Sequence, residues 1–284
     1  MTSGANLWDN RIMDSLDAAQ VAAYLDRIGA GAPAEHQPDA AYLRILHQAH
    51  LNAVPFENLS IHLGEGIVLK PQALVEKIVT RRRGGFCYEL NGAFAALLQA
   101  LGYRVTLLAG RVYSTKDDAF GPPFDHLALR VEAQESGDGG PWLADVGFGK
   151  HCVFPLRLED RGDQHDPGGV FRIEQTDEGD LDIYRDGERQ YRLEQRPRAL
   201  ADFGATCWYQ QTAPTSHFTR SLVCSLGAAD DRVTLSGRTL IVTSAAGRSE
   251  EHLEDEAAVL AAYRERFGIV LDREPILRSS KQVA

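Results

Sequence analysis

The feature that most limits how this 284-residue chain can fold is a change in the spacing of its apolar residues near position 104. Before that point they recur every three or four residues, the period of one helix face. Beyond it they fall in short β-branched or aromatic runs between turns, the texture of strands. A chain of this length can bury a sizeable core, as one large domain or two to three small ones.

The helical part begins with Asp14 or Ser15 as a candidate N-cap before Leu16, Ala19, Val21, Tyr24 and Leu25, with Gly29 as the stop. A second helix runs from about Asp39 through Leu43 and Leu46 to Leu51, followed by a loop, Val54-Pro55-Phe56-Glu57-Asn58. Pro71 suits the first position of a third helix, which carries Leu74, Val75 and Ile78 and ends in the basic run Arg81, Arg82, Arg83. After Gly84 and Gly85, residues 87–101 form a fourth, with Leu90, Phe94, Leu97 and Leu98 on one apolar face and Gly102 closing it.

Strands are expected over 105–113, 126–131, 142–146, 170–174 and 183–193, in antiparallel arrangement, and over 217–224, 233–235 and 239–243. Residues 136–140 read as a turn, 159–169 as a longer surface loop, 254–267 as a last helix stopped by Gly268, and the tail beyond Arg273 as irregular.

A formal net charge of -10 argues against nucleic acid or an anionic membrane as the main partner, since such surfaces repel an acidic protein. Residues 1–13 lack the apolar core of a signal peptide, and no stretch approaches the roughly 18 apolar residues that span a bilayer. A cytoplasmic location is the expectation. The four cysteines, Cys87, Cys152, Cys207 and Cys224, show neither a C-x-x-C pair nor zinc-site spacing, so no metal is called for.

Three residues carry chemistry. Cys87 falls in the first turn of its helix, where unpaired N–H groups and the positive end of the helix dipole favour a thiolate. His126 opens an alternating strand that sends Leu127, Leu129 and Val131 to one face and the imidazole to the other. An imidazole so placed can hold the thiol proton. Asp145 sits in the apolar segment Trp142-Leu143-Ala144-Asp145-Val146, where a carboxylate needs a partner such as imidazolium. Nucleophile, base and orienter together make a catalytic triad.

The string Arg83-Gly84-Gly85-Phe86-Cys87, with Val54-Pro55-Phe56-Glu57-Asn58-Leu59 before it and Asp125-His126-Leu127 and Asp145-Val146-Gly147-Phe148-Gly149 after it, resembles the arylamine N-acetyltransferase family. The resemblance implies an α+β fold with a cysteine-proteinase-like core. Its expected parts are an N-terminal helical bundle (1–104), a β-barrel-like middle domain (105–215) and a C-terminal α/β lid (216–284). It also implies acetyl coenzyme A as co-substrate and a small aromatic amine or hydrazine as acceptor, with Cys87 passing the acetyl group in a ping-pong cycle and a role in xenobiotic metabolism. For coenzyme A it points to Gly147, Phe148, Gly149, Ser216, Phe218 and Thr219, with Arg111, Lys150 and Arg220 as candidates to meet the phosphates. Glu57 and Arg83 match family positions that pair, and an ion pair bracing the Cys87 turn is expected.

Rival readings share these residues. A hydrolase or transglutaminase-like enzyme uses Cys, His and Asp in the same order. An amide synthase of the same family would close a macrolactam, and a non-enzymatic binding module would keep the cysteine as core. The oligomeric state is left open by the sequence.

Overall fold

The computed structural model describes residues 15–31, 37–134, 140–227 and 232–277. Asp14, the 136–139 turn, the N-terminal 1–13 and the last seven residues of the tail lie outside the described residues. The first helix, α1 (Ala18–Ile28), is capped by Asp17, which accepts from the Gln20 amide at 2.8 Å while Gln20 reaches back to the Asp17 amide. That capping box displaces the expected start at Ser15, because two backbone donors are satisfied at once. Helix α2 (Ala40–Ala53) starts at Asp39 as expected.

Phe56 and Glu57 form a short strand, β1, not a loop, because they pair with Ser225 and Cys224 far along the chain. After α3 (Leu59–Leu63), helix α4 (Pro71–Val75) has Pro71 at its first position and widens into a π-helical turn over Glu76–Thr80. Helix α5 (Cys87–Ala100) is buried on every side from Cys87 to Leu98, including Glu89 and Asn91, rather than on one face. A helix buried all round belongs at the centre of a fold, and α5 lies between α1, α4 and the first strands of the barrel.

The middle of the chain forms strands β2 (Arg104–Ser114), β3 (Ala119–Phe120), β4 (His126–Glu132), β5 (Trp142–Ala144), β6 (Leu156–Arg157), β7 (Gln164–Asp166), β8 (Gly169–Gln175), β9 (Leu181–Arg185) and β10 (Glu188–Arg198). They hydrogen-bond in the order β6-β5-β4-β2-β10-β9-β8-β7, with β3 on β2, and every pairing is antiparallel. The edge strands β6 and β7 are linked by a side chain: Gln164 accepts from the Arg157 amide at 2.7 Å and donates to its carbonyl at 2.9 Å. The sheet is thereby nearly closed into a barrel. The run expected as one strand over 183–193 is a hairpin, turning at Asp186 and Gly187, both at positive φ. The 159–169 loop contains β7, which lacks an apolar alternation of its own.

A 3₁₀ turn over Leu200–Phe203 leads to α6 (Gly204–Thr212). The segment expected as a strand from His217 is a helical turn, α7 (His217–Arg220), capped by Ser216, and only then comes β11 (Val223–Leu226). Strands β12 (Arg232–Ser236), β13 (Thr239–Ser244) and β14 (Gly247–His252) complete a second sheet, β1-β11-β12-β13-β14, on which α8 (Glu256–Phe267) packs. All six residues of β14 are exposed, and Arg248, Glu250 and Glu251 charge this open edge.

Three buried clusters hold the fold together. Leu127, Leu129 and Val131 of β4 face Leu90, Phe94 and Leu97 of α5, while Ala128 faces the barrel interior with Phe171, Ile183 and Tyr191. Leu59, Cys224, Leu235, Tyr263 and Phe267 form the third. β1 and Leu59 belong to the helical part by sequence yet pack with the C-terminal sheet.

Candidate active site

The position of Cys87 is set by the two glycines before it. A Cβ on Gly84 would collide with the Pro55 carbonyl oxygen, and the chains meet there because the Gly85 carbonyl accepts from the Glu57 amide at 2.9 Å. The turn is thus stitched to β1, and α5 starts at the thiol. Behind the turn lies a buried charge cluster. Arg83 Nε meets Glu57 at 3.0 Å, its Nη1 meets Glu65 at 3.2 Å, and Lys77 Nζ meets Glu89 at 2.6 Å and Glu57 at 3.8 Å. The expected Glu57 and Arg83 pair is present, and both side chains are nearly inaccessible. Burial alone would raise the Glu57 carboxyl, but Lys77, Arg83 and the Leu59 amide hold it below the usual range. Lys77 and Glu89 were not anticipated; Glu89 at the third helical position, which accepts from the Phe86 amide, was the available signal.

His126 and Asp145, 19 residues apart in sequence, meet at 2.7 Å between Nε2 and Oδ2. Nδ1 is left as the free ring nitrogen. Burial would raise the Asp145 carboxyl, but His126 and the Asn91 side chain hold it well below the carboxylate range. Oδ1 of Asp145 accepts from Asn91 Nδ2 at 2.9 Å and from the Gly147 amide at 3.0 Å. The Asp145 amide donates to His47 Nε2 at 3.1 Å, and the other ring nitrogen of His47 bonds the Val153 carbonyl at 2.9 Å, which sets Nδ1 as the protonated one. Asn91 and His47 escaped the sequence reading. Asn91 had a signal, since it stands four residues after Cys87 on the same helix; His47 had none.

The thiol departs from expectation. Burial pushes it well above its ordinary range, the Leu127 amide opposes this, and the carboxylates of Asp125 and Asp145 push it further up. Burial is the largest influence on the thiol, and it opposes the help that a helix start gives an anion. Ionisation requires the proton to pass to a neighbour.

A cavity of about 740 Å³ brings Cys87 and His126 together with Gly147, Phe148, Ser216, Phe218 and Arg220. Gly147 lies so close to the helix that a Cβ would stand 2.8 Å from Cys87 Cα, and the Phe148 ring sits 5.1 Å from the His126 ring. The Phe218 ring packs 5.2 Å from Phe86. Gly149 and Thr219 do not line the cavity: Gly149 takes φ +90° and accepts from Arg232, and Thr219 donates to the Ala213 carbonyl at 2.7 Å. The Ser216 hydroxyl, at the wall, donates to Gln210 and accepts from the Phe218 amide. Arg111 is tied to the Gly121 carbonyl at 2.9 Å, and neither it nor Lys150 reaches the cavity, whereas Lys116, not foreseen, does. Among the described residues no group of acidic, histidine and cysteine side chains could hold a metal ion.

Fold and site together define a mixed helix-and-sheet protein with a nearly closed barrel, in which one cleft gathers a helix-borne cysteine and a strand-borne histidine bonded to an aspartate. A family profile described as N-acetyltransferase matches residues 39–276. The chain is 38% identical over 258 residues to the arylamine N-acetyltransferase of Mycobacterium tuberculosis, covering 89% of this chain and 90% of that one. The Mycobacterium marinum arylamine N-acetyltransferase, solved in complex with CoA, superposes with a TM-score of 0.77 at 39% identity, covering 88% of this chain and 92% of that one. The Bacillus cereus enzyme, described with a unique Cys-His-Glu catalytic triad, shares the fold at a TM-score of 0.80 and 22% identity, over 90% of this chain and 100% of that one. The chain belongs to the arylamine N-acetyltransferase family.

Proposed function

We propose that the chain moves an acetyl group from acetyl coenzyme A to the nitrogen of an arylamine or arylhydrazine, through an acetyl-cysteine on Cys87. The observation that carries this reading is the one cleft lined by both Cys87 and His126, with Asp145 bonded to the imidazole at 2.7 Å.

His126 accepts the thiol proton, and the buried Asp145 carboxylate stabilises the imidazolium that forms. The Cys87 thiolate then attacks the thioester carbonyl; a carbon–sulfur bond forms, the original one breaks, and His126 returns the proton to the leaving sulfur. In the second half the amine attacks acetyl-Cys87, His126 accepts the proton the nitrogen sheds, and the Cys87 sulfur leaves. An arylamine is largely unprotonated at neutral pH and needs little activation.

The cleft fits a pantetheine arm: Gly147 brings bare backbone against Cys87, Phe148 and Phe218 wall the slot, and Lys116 and Arg220 at the cavity suit phosphates better than Arg111 and Lys150. Glu57 and Arg83 brace the turn that aims the thiol. The succession of helices up to Ala100, one antiparallel sheet between Arg104 and Arg198 and a second sheet with α8 supports a division into a helical bundle (1–104), a barrel (105–215) and an α/β lid (216–284) around a cysteine-proteinase-like core, although the first and third buried clusters cross those boundaries. All four cysteines are free and buried, which suits a reducing cytoplasm, and the net charge of -10 speaks against nucleic acid or membrane as partner.

Intact-protein mass spectrometry after mixing with acetyl coenzyme A tests this. One acetyl adduct should appear, map to Cys87, vanish in Cys87→Ala and discharge on adding an arylamine. An adduct on Cys152, Cys207 or Cys224 would overturn the assignment.

A further inference from the structure

Asp125 is a half-buried carboxylate in the wall of the cleft, and its backbone oxygen lies 3.9 Å from the Cys87 sulfur. The other charged or titratable lining groups apart from Cys87 and His126, namely Lys116, Asp117, Tyr209, His217 and Arg220, are exposed, and the charged ones are mixed in sign. Away from the rim, the carboxylate of the lining is that of Asp125, with Arg111 outside the cavity as a nearby cation.

This carboxylate is held deliberately. Phe124 just before it adopts φ +62°, a conformation that costs a non-glycine residue about 1–2 kcal/mol, and the Tyr88 hydroxyl donates to the Phe124 carbonyl at 2.7 Å to keep it there. A side chain at Gly121 would occupy the space taken by Asp125 Oδ2. Gln210 Nε2 donates to Asp125 Oδ1 at 2.6 Å, and Gln210 is fixed in turn by the Ser216 hydroxyl at 2.5 Å. Yet Asp125 pushes the Cys87 thiol up and so opposes the first half-reaction. A negative charge beside a sulfur that must become anionic is a cost unless it serves another step. Once the sulfur is acetylated its charge is gone, while the Asp125 carboxyl, pushed up by burial but drawn back towards ionisation by His126, the Gln210 bond and Arg111, stays in the cleft wall.

We infer that Asp125 sets the charge preference of the acceptor subsite, favouring arylamines with a cationic ring substituent over those with an anionic one. This rests on the acyl-transfer reading above. In a ping-pong enzyme the acceptor kcat/KM reports only the second half-reaction, so effects on Cys87 acylation drop out of it.

The test compares 4-aminobenzamidine, 4-aminobenzamide and 4-aminobenzoate as acceptors. In the wild type, the amidine-to-benzoate ratio of kcat/KM, divided by the same ratio for uncatalysed acetylation by a thioester, should exceed about ten, the scale of one charge-assisted contact. Asp125→Asn should lower that ratio about tenfold and Asp125→Glu should retain most of it. A wild-type ratio near one, or a folded Asn variant with the wild-type ratio, overturns the inference while acetyl-Cys87 still forms. If acetyl-Cys87 never forms, the acyl-transfer reading fails and the inference goes with it.

Discussion

Asn91 lies one helical turn beyond Cys87 and donates to Asp145 Oδ1 at 2.9 Å, so the helix that carries the thiol also holds the carboxylate. The same side chain donates to the Leu127 carbonyl at 2.6 Å and accepts from the Val146 amide at 2.9 Å. One amide thus locks helix α5, strand β4 and the 145–147 turn in a fixed relation.

Asn91→Ala should therefore lower both stability and turnover. It strands a buried amide and a buried carbonyl, each costing about 1–3 kcal/mol, and frees Asp145 to turn from His126. Denaturant unfolding should show a loss of roughly 2–4 kcal/mol, with kcat reduced about ten- to a hundredfold. Wild-type turnover in Asn91→Ala would show that the imidazole is oriented without this contact.

The charge cluster behind Cys87 makes a different prediction. Arg83→Met leaves the Glu57 carboxylate buried with only Lys77, at 3.8 Å, as counter-charge. Unpairing a buried ion costs about 3–5 kcal/mol, whereas replacing both partners is often near neutral. Arg83→Met should unfold at much lower denaturant than wild type, and Glu57→Gln with Arg83→Met should recover a good part of the loss. Equal stability of the single variant and wild type would remove the pair from any bracing role.

Acid should destabilise the fold well before carboxylates titrate. Burial lowers His50 and His151 from 6.5 to about 3, so in the folded state both stay neutral where the unfolded chain takes up protons. Their stabilising contribution is complete above about pH 6.5 and is lost as pH falls towards 3, at about 1.4 kcal/mol per pH unit for each histidine. His47, also lowered by burial, acts in the same direction. Asp145 and Glu57, both held low, extend the loss below the ordinary carboxylate range. Urea midpoints taken at pH 7.5, 6.5, 5.5 and 4.5 should fall steeply between the last three, and a flat profile there would contradict neutral buried histidines.

Much of this was written in local patterns. Helical spacing up to Gly102, alternation after Arg104, and stop signals such as Gly29 and Gly268 lie within a few residues of the bonds they control, so they marked α1, α2, α5 and α8 closely. The bond between His126 and Asp145 and the shared cleft of Cys87 and His126 were foreshadowed because a cysteine in a first helical turn, an alternating strand and an acid in apolar company each leave a chemical trace. What tertiary structure alone decided came from contacts between distant segments. Phe56 and Glu57 became a strand because β11 offers backbone partners more than 160 residues on, and the His217 turn is held by Asn58, whose Nδ2 donates to the Phe218 carbonyl at 3.0 Å and the Ser221 carbonyl at 2.6 Å. The setting of the Cys87 thiol belongs there too: a helix N-terminus is a local feature, but the burial and the nearness of Asp125 and Asp145 that push the thiol up come from packing.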